Sequence, residues 1–145
     1  MKRFALVLVF AVALATPAFA HHMAVVVSKD SSVDTMTSAQ LSRVFRAETR
    51  KWSNGKPVVL VFHHASAGEM ITLQHLNKMT AAQLQAWTTE HRDSVKFVDS
   101  DSDVLDAVQS TPGAVGLVEV HSVTDGVKVI RVDGKMPMED GYLPH

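Results

Sequence analysis

Short apolar, β-branched runs alternate with capped helical stretches along residues 21–145, and this alternation restricts the chain to layered α/β architectures. Ala24-Val25-Val26-Val27 holds no polar residue, as a strand buried on both faces requires. After the polar segment 28–35, Thr37 and Gln40 have the spacing of a capping box, with Met36 and Leu41 placed to staple across it. They predict a helix that buries Leu41, Val44 and Phe45. Asn54-Gly55 predicts a turn, and Pro57 to Phe62 a second strand with proline at its first position, where a missing donor is tolerated. Beyond Ser66 a second helix turns Met70, Leu73 and Leu76 inward and ends near Asn77-Lys78. Thr80 and Gln83 repeat the capping box and open a third helix, with Leu84 and Trp87 facing the core. Lys96-Phe97-Val98 reads as a brief strand, and Ser100 with Asp103 as the cap of a fourth helix bearing Val104, Leu105 and Val108. Thr111-Pro112-Gly113 stops that helix. Strands over Ala114–Val120 and Val127–Val132, separated by the Asp125-Gly126 turn, precede a polar tail. The expected fold is one α/β layered domain with a mixed sheet flanked by helices. Its expected core is Leu41, Phe45, Val59, Val61, Leu73, Trp87, Leu105, Val108 and Val118.

Residues 1–20 read differently. Lys2 and Arg3 precede an apolar run from Phe4 to Ala15, and Ala18-Phe19-Ala20 offers small residues at the two positions a signal peptidase reads. The expectation is a secretory signal peptide cleaved after Ala20, a mature domain over 21–145, and a periplasmic location. The apolar run falls short of the ~20 residues of a membrane span. With no cysteine to carry lipid, no membrane anchor is expected.

The leader holds two of the 14 basic residues and none of the 15 acidic ones, which leaves 12 against 15 and a formal charge of −3. No basic cluster with interleaved aromatics is present, so nucleic acid is not an expected partner. The lack of cysteine removes disulfides, thiol catalysis and thiolate metal sites. Gly-x-Ser-x-Gly is absent, and Asp99, Asp101, Asp103 and Asp106 read as a solvated helix start, so no enzyme activity and no cofactor are expected. All eight histidines lie in the mature part. Cleavage after Ala20 would give His21 a free α-amine beside its imidazole, a chelating pair suited to copper or zinc, with His22 or Met23 as further ligands. His63 and His64 are also adjacent, but neighbours on a strand point to opposite faces and cannot share one ion without a turn.

The stretch from Met36-Thr37-Ser38-Ala39-Gln40-Leu41 to Val44-Phe45 and the run Trp52-Ser53-Asn54-Gly55-Lys56-Pro57-Val58 carry a resemblance. With Val98-Asp99-Ser100 and Thr111-Pro112-Gly113-Ala114-Val115-Gly116-Leu117-Val118, their order and spacing are similar to the periplasmic phosphate-binding proteins of ABC transporters. The resemblance implies a single-lobe, periplasmic-binding-protein-like fold and a solute-binding role. Phosphate or a similar small oxyanion is the implied ligand, and an ABC transporter permease an implied partner. Full family members close two lobes on the anion, and this length holds one lobe's worth of chain, so a homodimer could rebuild the missing lobe. The residues are also compatible with an accessory module that has lost the small ligand and binds a protein, and with a histidine-based metal-binding protein.

The family's anion loop has the form R-S-D-G-S-G-T between a strand and a helix. It aligns with His63-His64-Ala65-Ser66-Ala67-Gly68-Glu69, where Gly68 alone matches outright. The ligand-binding residues this implies are His63, His64, Ser66, Ala67, Gly68 and Glu69. Independently of the family, free N–H groups and the positive end of a helix dipole favour an anion at such a junction. Protonated His63 and His64 would add charge, whereas Glu69 is expected to compete for the same N–H groups and repel the ligand.

Overall fold

The computed structural model describes residues 22–144. The leader expectation for residues 1–20 and the chelating role of His21 lie outside the described residues. Strand β1 (Met23–Ser28) occupies an inner position of a five-stranded sheet of order β4-β3-β5-β1-β6, as its unbroken apolar run requires. The other strands are β3 (Val59–His63), β4 (Val95–Val98), β5 (Ala114–Glu119) and β6 (Val127–Val129). β3 runs parallel to both β4 and β5, while β1 is antiparallel to β5 and β6, so the sheet is mixed.

Helices α1 (Ser38–Phe45), α2 (Ala67–Asn77), α3 (Ala81–Glu90) and α4 (Asp101–Ser110) flank the sheet. Met23, Val25, Leu60, Phe62 and Leu117 join Leu41, Phe45, Leu73 and Leu84 in one apolar layer. Val26, Val61 and Val118 point the other way and pack with Val104, Leu105 and Val108 of α4. The period-two alternation of β1, β3 and β5 thus divides one sheet between two cores.

Local chemistry sets the helix starts. Thr37 and Thr80 both close full capping boxes with Gln40 and Gln83, and the Ser100 side chain accepts from the Asp103 N–H. Each such cap is worth about 0.5–2 kcal/mol. Seven of the nine expected core residues are buried. Val59, which opens its strand, and Trp87, which stacks on Phe62 and on the His91 ring, are only half-buried.

Three features differ from expectation. Val127–Val132 is not one strand: Ile130 turns into the core, and Arg131–Val132 forms β7, which pairs in parallel with a short β2 (Thr35–Met36) in a separate two-stranded sheet. The tail is not simply polar, since Tyr142 and Leu143 are buried. The Tyr142 hydroxyl donates to the Ile130 carbonyl (2.6 Å) and accepts from the Val25 N–H (3.2 Å), tying the tail to the sheet. Burial holds that phenol up at about 12, against which the Val25 N–H acts to lower it. Thirdly, Asp101 is not solvated, because it is drawn into the contacts at the strand ends described below.

Among the described residues no helix is long and apolar enough to cross a membrane.

Candidate functional site

Parallel strands β3 and β5 begin at one end of the sheet and finish at the other. At the starting end, the Trp52 indole N–H donates to the Gly113 carbonyl (2.9 Å), which also accepts from the Val59 N–H (3.0 Å). Gly113 has φ +82°, and a Cβ there would lie 2.1 Å from the Pro57 carbonyl oxygen, so only glycine fits. Gly116 is constrained by packing alone, since a Cβ there would lie 2.7 Å from a Val104 methyl of α4. The Trp-x-Asn-Gly and Pro-Gly-Ala-Val-Gly segments therefore meet each other and brace this end of the sheet.

The finishing end is polar. His63 closes β3, and a turn through His64 and Ala65 brings the chain to Ser66, the N-cap of α2. The Ser66 hydroxyl accepts from the Glu69 N–H (3.2 Å). Ala67 and Gly68 contribute the first two helical N–H groups, which have no partner within the helix. Ala67 is exposed and Gly68 buried.

Glu69 does not compete for those donors. Its side chain is fully buried, and Oε2 accepts from the His63 N–H (2.7 Å) while Oε1 has no partner. Burial raises its pKa well above the usual carboxylate value, the His63 N–H opposes this, and the nearby charge of Asp101 raises it further. The carboxyl therefore retains its proton to higher pH than an exposed glutamate and carries less of the repelling charge expected of it.

The two histidines diverge, as strand geometry requires. His63 Nδ1 lies 3.0 Å from Asp101 Oδ1, and because an ionised carboxylate only accepts, this nitrogen carries the proton. Asp101 Oδ2 in turn accepts from the Glu119 N–H at the end of β5 (3.0 Å). The exposed His64 sets its Nε2 3.6 Å from Asp99 Oδ1 and its ring edge-on to Phe97. His121 Nε2 lies 3.0 Å from Glu119 Oε2. All six expected site residues thus lie at one strand-to-helix junction, with Asp99 and Asp101 brought in from the neighbouring one. Sequence reasoning missed Asp101 and Glu119, which have no local signal beyond their positions at a helix start and a strand end. Among the described residues no group of three or more histidine, aspartate and glutamate side chains is placed to hold a metal ion.

The fold is shared with solved proteins. A Clostridium perfringens protein solved with bound phosphate superposes with a TM-score of 0.67 at 20% identity, over 80% of this chain and 46% of that one. An ABC-type phosphate transport receptor from Vibrio cholerae gives 0.64 at 20% identity, over 80% and 48%, and PstS from Borrelia burgdorferi gives 0.62 at 17%, over 80% and 49%. The chain spans about half the length of these structures. The family model described as the PBP superfamily domain matches residues 10–135. The expected periplasmic-binding-protein-like fold is thus present, and the chain belongs to the PBP superfamily.

Proposed function

We propose that this chain is an exported solute-binding module that holds a small oxyanion, phosphate foremost, at the junction from His63 to Glu69. Residues 1–20 serve as its leader and 21–145 as the domain, with an ABC-type phosphate transporter as its partner in the periplasm. One observation carries the reading: the Glu69 carboxyl is turned inward onto the His63 N–H, which leaves the first N–H groups of α2 without an internal anion. In this reading the anion takes the Ala67 and Gly68 N–H groups and the positive end of the helix dipole, beside the Ser66 hydroxyl. The exposed His64 lies beside the junction, whereas Asp101 already engages His63. The similar solved proteins include one with phosphate bound and one described as a phosphate transport receptor.

Ligand affinity should be modest, since the arginine of the family's loop is replaced by His63 and no bidentate guanidinium is available there. Calorimetric titration of the soluble protein with phosphate at pH 6 and pH 8, with chloride as the control anion, tests the reading. Saturable binding that weakens with added salt is expected. No saturable heat at millimolar phosphate at either pH would overturn it.

A further inference from the structure

At the far end of α2, about 16 Å along the helix axis from Ser66, Asn77 presents an unexplained donor. The residue is 2% exposed, and its Nδ2 has no hydrogen-bond partner. Its Oδ1 accepts from the Ser42 hydroxyl of α1 (3.2 Å). Buried polar groups are ordinarily paired, so an orphaned amide calls for a partner from outside the chain.

Asn77 lines a groove of about 670 Å³ between α1, the end of α2 and the tail 141–144. That volume lies within the ~300–1,000 Å³ of small-molecule sites. We propose that this groove binds a small organic anion, a carboxylate on a short apolar body, at a site separate from the His63–Glu69 junction.

Two independent features agree on the ligand. The free Asn77 group is a donor and calls for an acceptor. The charged side chains lining the groove are Arg43, Arg46 and Lys78 against Glu48 and Asp133, an excess of one positive charge. Both acids are already engaged: Glu48 lies 3.5 Å from Arg46, and Asp133 Oδ1 accepts from the Ser38 N–H (2.9 Å). Among the described residues Arg43 and Lys78 have no such partner acid, and they stand at the rim, where they are positioned to meet a carboxylate whose second oxygen takes Asn77. The floor supplies the apolar contact through Leu76, Tyr142 and Leu143, all buried residues that line the same groove. The start of α1 does not account for the site, because Thr37 and Gln40 already complete its capping box.

NMR titration of the ¹⁵N-labelled soluble protein, recovered from expression of the full chain, tests this with benzoate as the probe and benzamide as its neutral counterpart. Saturable shifts of the Asn77 side-chain amide and of the Ser42, Lys78 and Leu143 backbone are expected, with benzamide roughly tenfold weaker. Arg43→Glu, at the rim of the groove, should weaken benzoate about fivefold or more. Asn77→Leu, which removes the orphaned donor together with the Ser42 contact, should abolish the Ser42, Lys78 and Leu143 shifts. Should that variant fail to fold, Arg43→Glu decides alone. Equal binding of benzamide, shifts confined to His63–Gly68, or an unchanged affinity in Arg43→Glu would overturn the proposal.

Discussion

The two ends of the parallel strands β3 and β5 solve opposite problems with different kinds of residue. At the starting end, Trp52, Pro57 and Gly113 close on one another, and the Gly113 carbonyl takes two donors from within the chain, at 2.9 and 3.0 Å. At the finishing end the polar groups outnumber their internal partners. Glu69 Oε1 is buried and orphaned, the first N–H groups of α2 have no partner within the helix, and three histidines stand against Asp99, Asp101 and Glu119. A satisfied junction contributes stability, whereas an unsatisfied one is where a ligand or a proton can still act.

The sharpest way to break the comparison is at Gly113. Gly113→Ala should cost about 3 kcal/mol or more, combining the left-handed backbone penalty with a clash against the Pro57 carbonyl. Urea denaturation would show it, and a loss below about 1 kcal/mol, the backbone penalty alone, would mean this end is not the rigid one.

Glu69→Gln should act in the opposite direction. The folded state holds the Glu69 proton more tightly than the unfolded chain does, so the wild type is most stable below the ordinary glutamate value and loses stability as pH rises through the raised folded value. Glutamine keeps the shape and cannot ionise, so the variant should gain about 1–3 kcal/mol over the wild type on the alkaline side of that window. Denaturation midpoints between pH 4 and pH 9 would reveal the flattened profile. A smaller loss is expected at the first end from Trp52→Phe, about 1 kcal/mol, because the Gly113 carbonyl still keeps the Val59 N–H.

What could be read from the sequence divides along the same line. Helix starts were legible because a cap is completed within four residues, as at Thr37–Gln40 and Thr80–Gln83. The buried strand β1 was legible because its apolar run allows no solvent face. The candidate junction was legible as a place in the fold, since a strand-to-helix turn with Ser66 and Gly68 sits in one short segment. Its electrostatics were not. Whether Glu69 points at the helix N–H groups or beneath them depends on space under β3, and Asp101 is recruited by His63 from 38 residues away. The tail escaped for the same reason: one tyrosine in a polar segment gives no period, and its partner Val25 is 117 residues distant.

The smallest expected effect bears most directly on the proposed function. Ala67 is exposed and is the first helical residue of α2, so Ala67→Asp sets a carboxylate where the anion is proposed to sit without disturbing the core. Acidic residues in the first turn of a helix are worth about 0.3–1 kcal/mol at its positive end, so the variant should keep or slightly raise its Tm. The same energy then works against a bound oxyanion, which must now share the N–H groups with a fixed negative charge. Phosphate affinity should drop by about two- to fivefold, within the same range of interaction energy. Ser53→Asp, an exposed position at the Trp52 end, adds the same charge elsewhere and should leave phosphate binding unchanged. Parallel calorimetry of the two variants separates a local effect from a general one. Equal weakening by both would mean that phosphate responds only to net charge, and the junction at His63–Glu69 would lose its claim to the ligand.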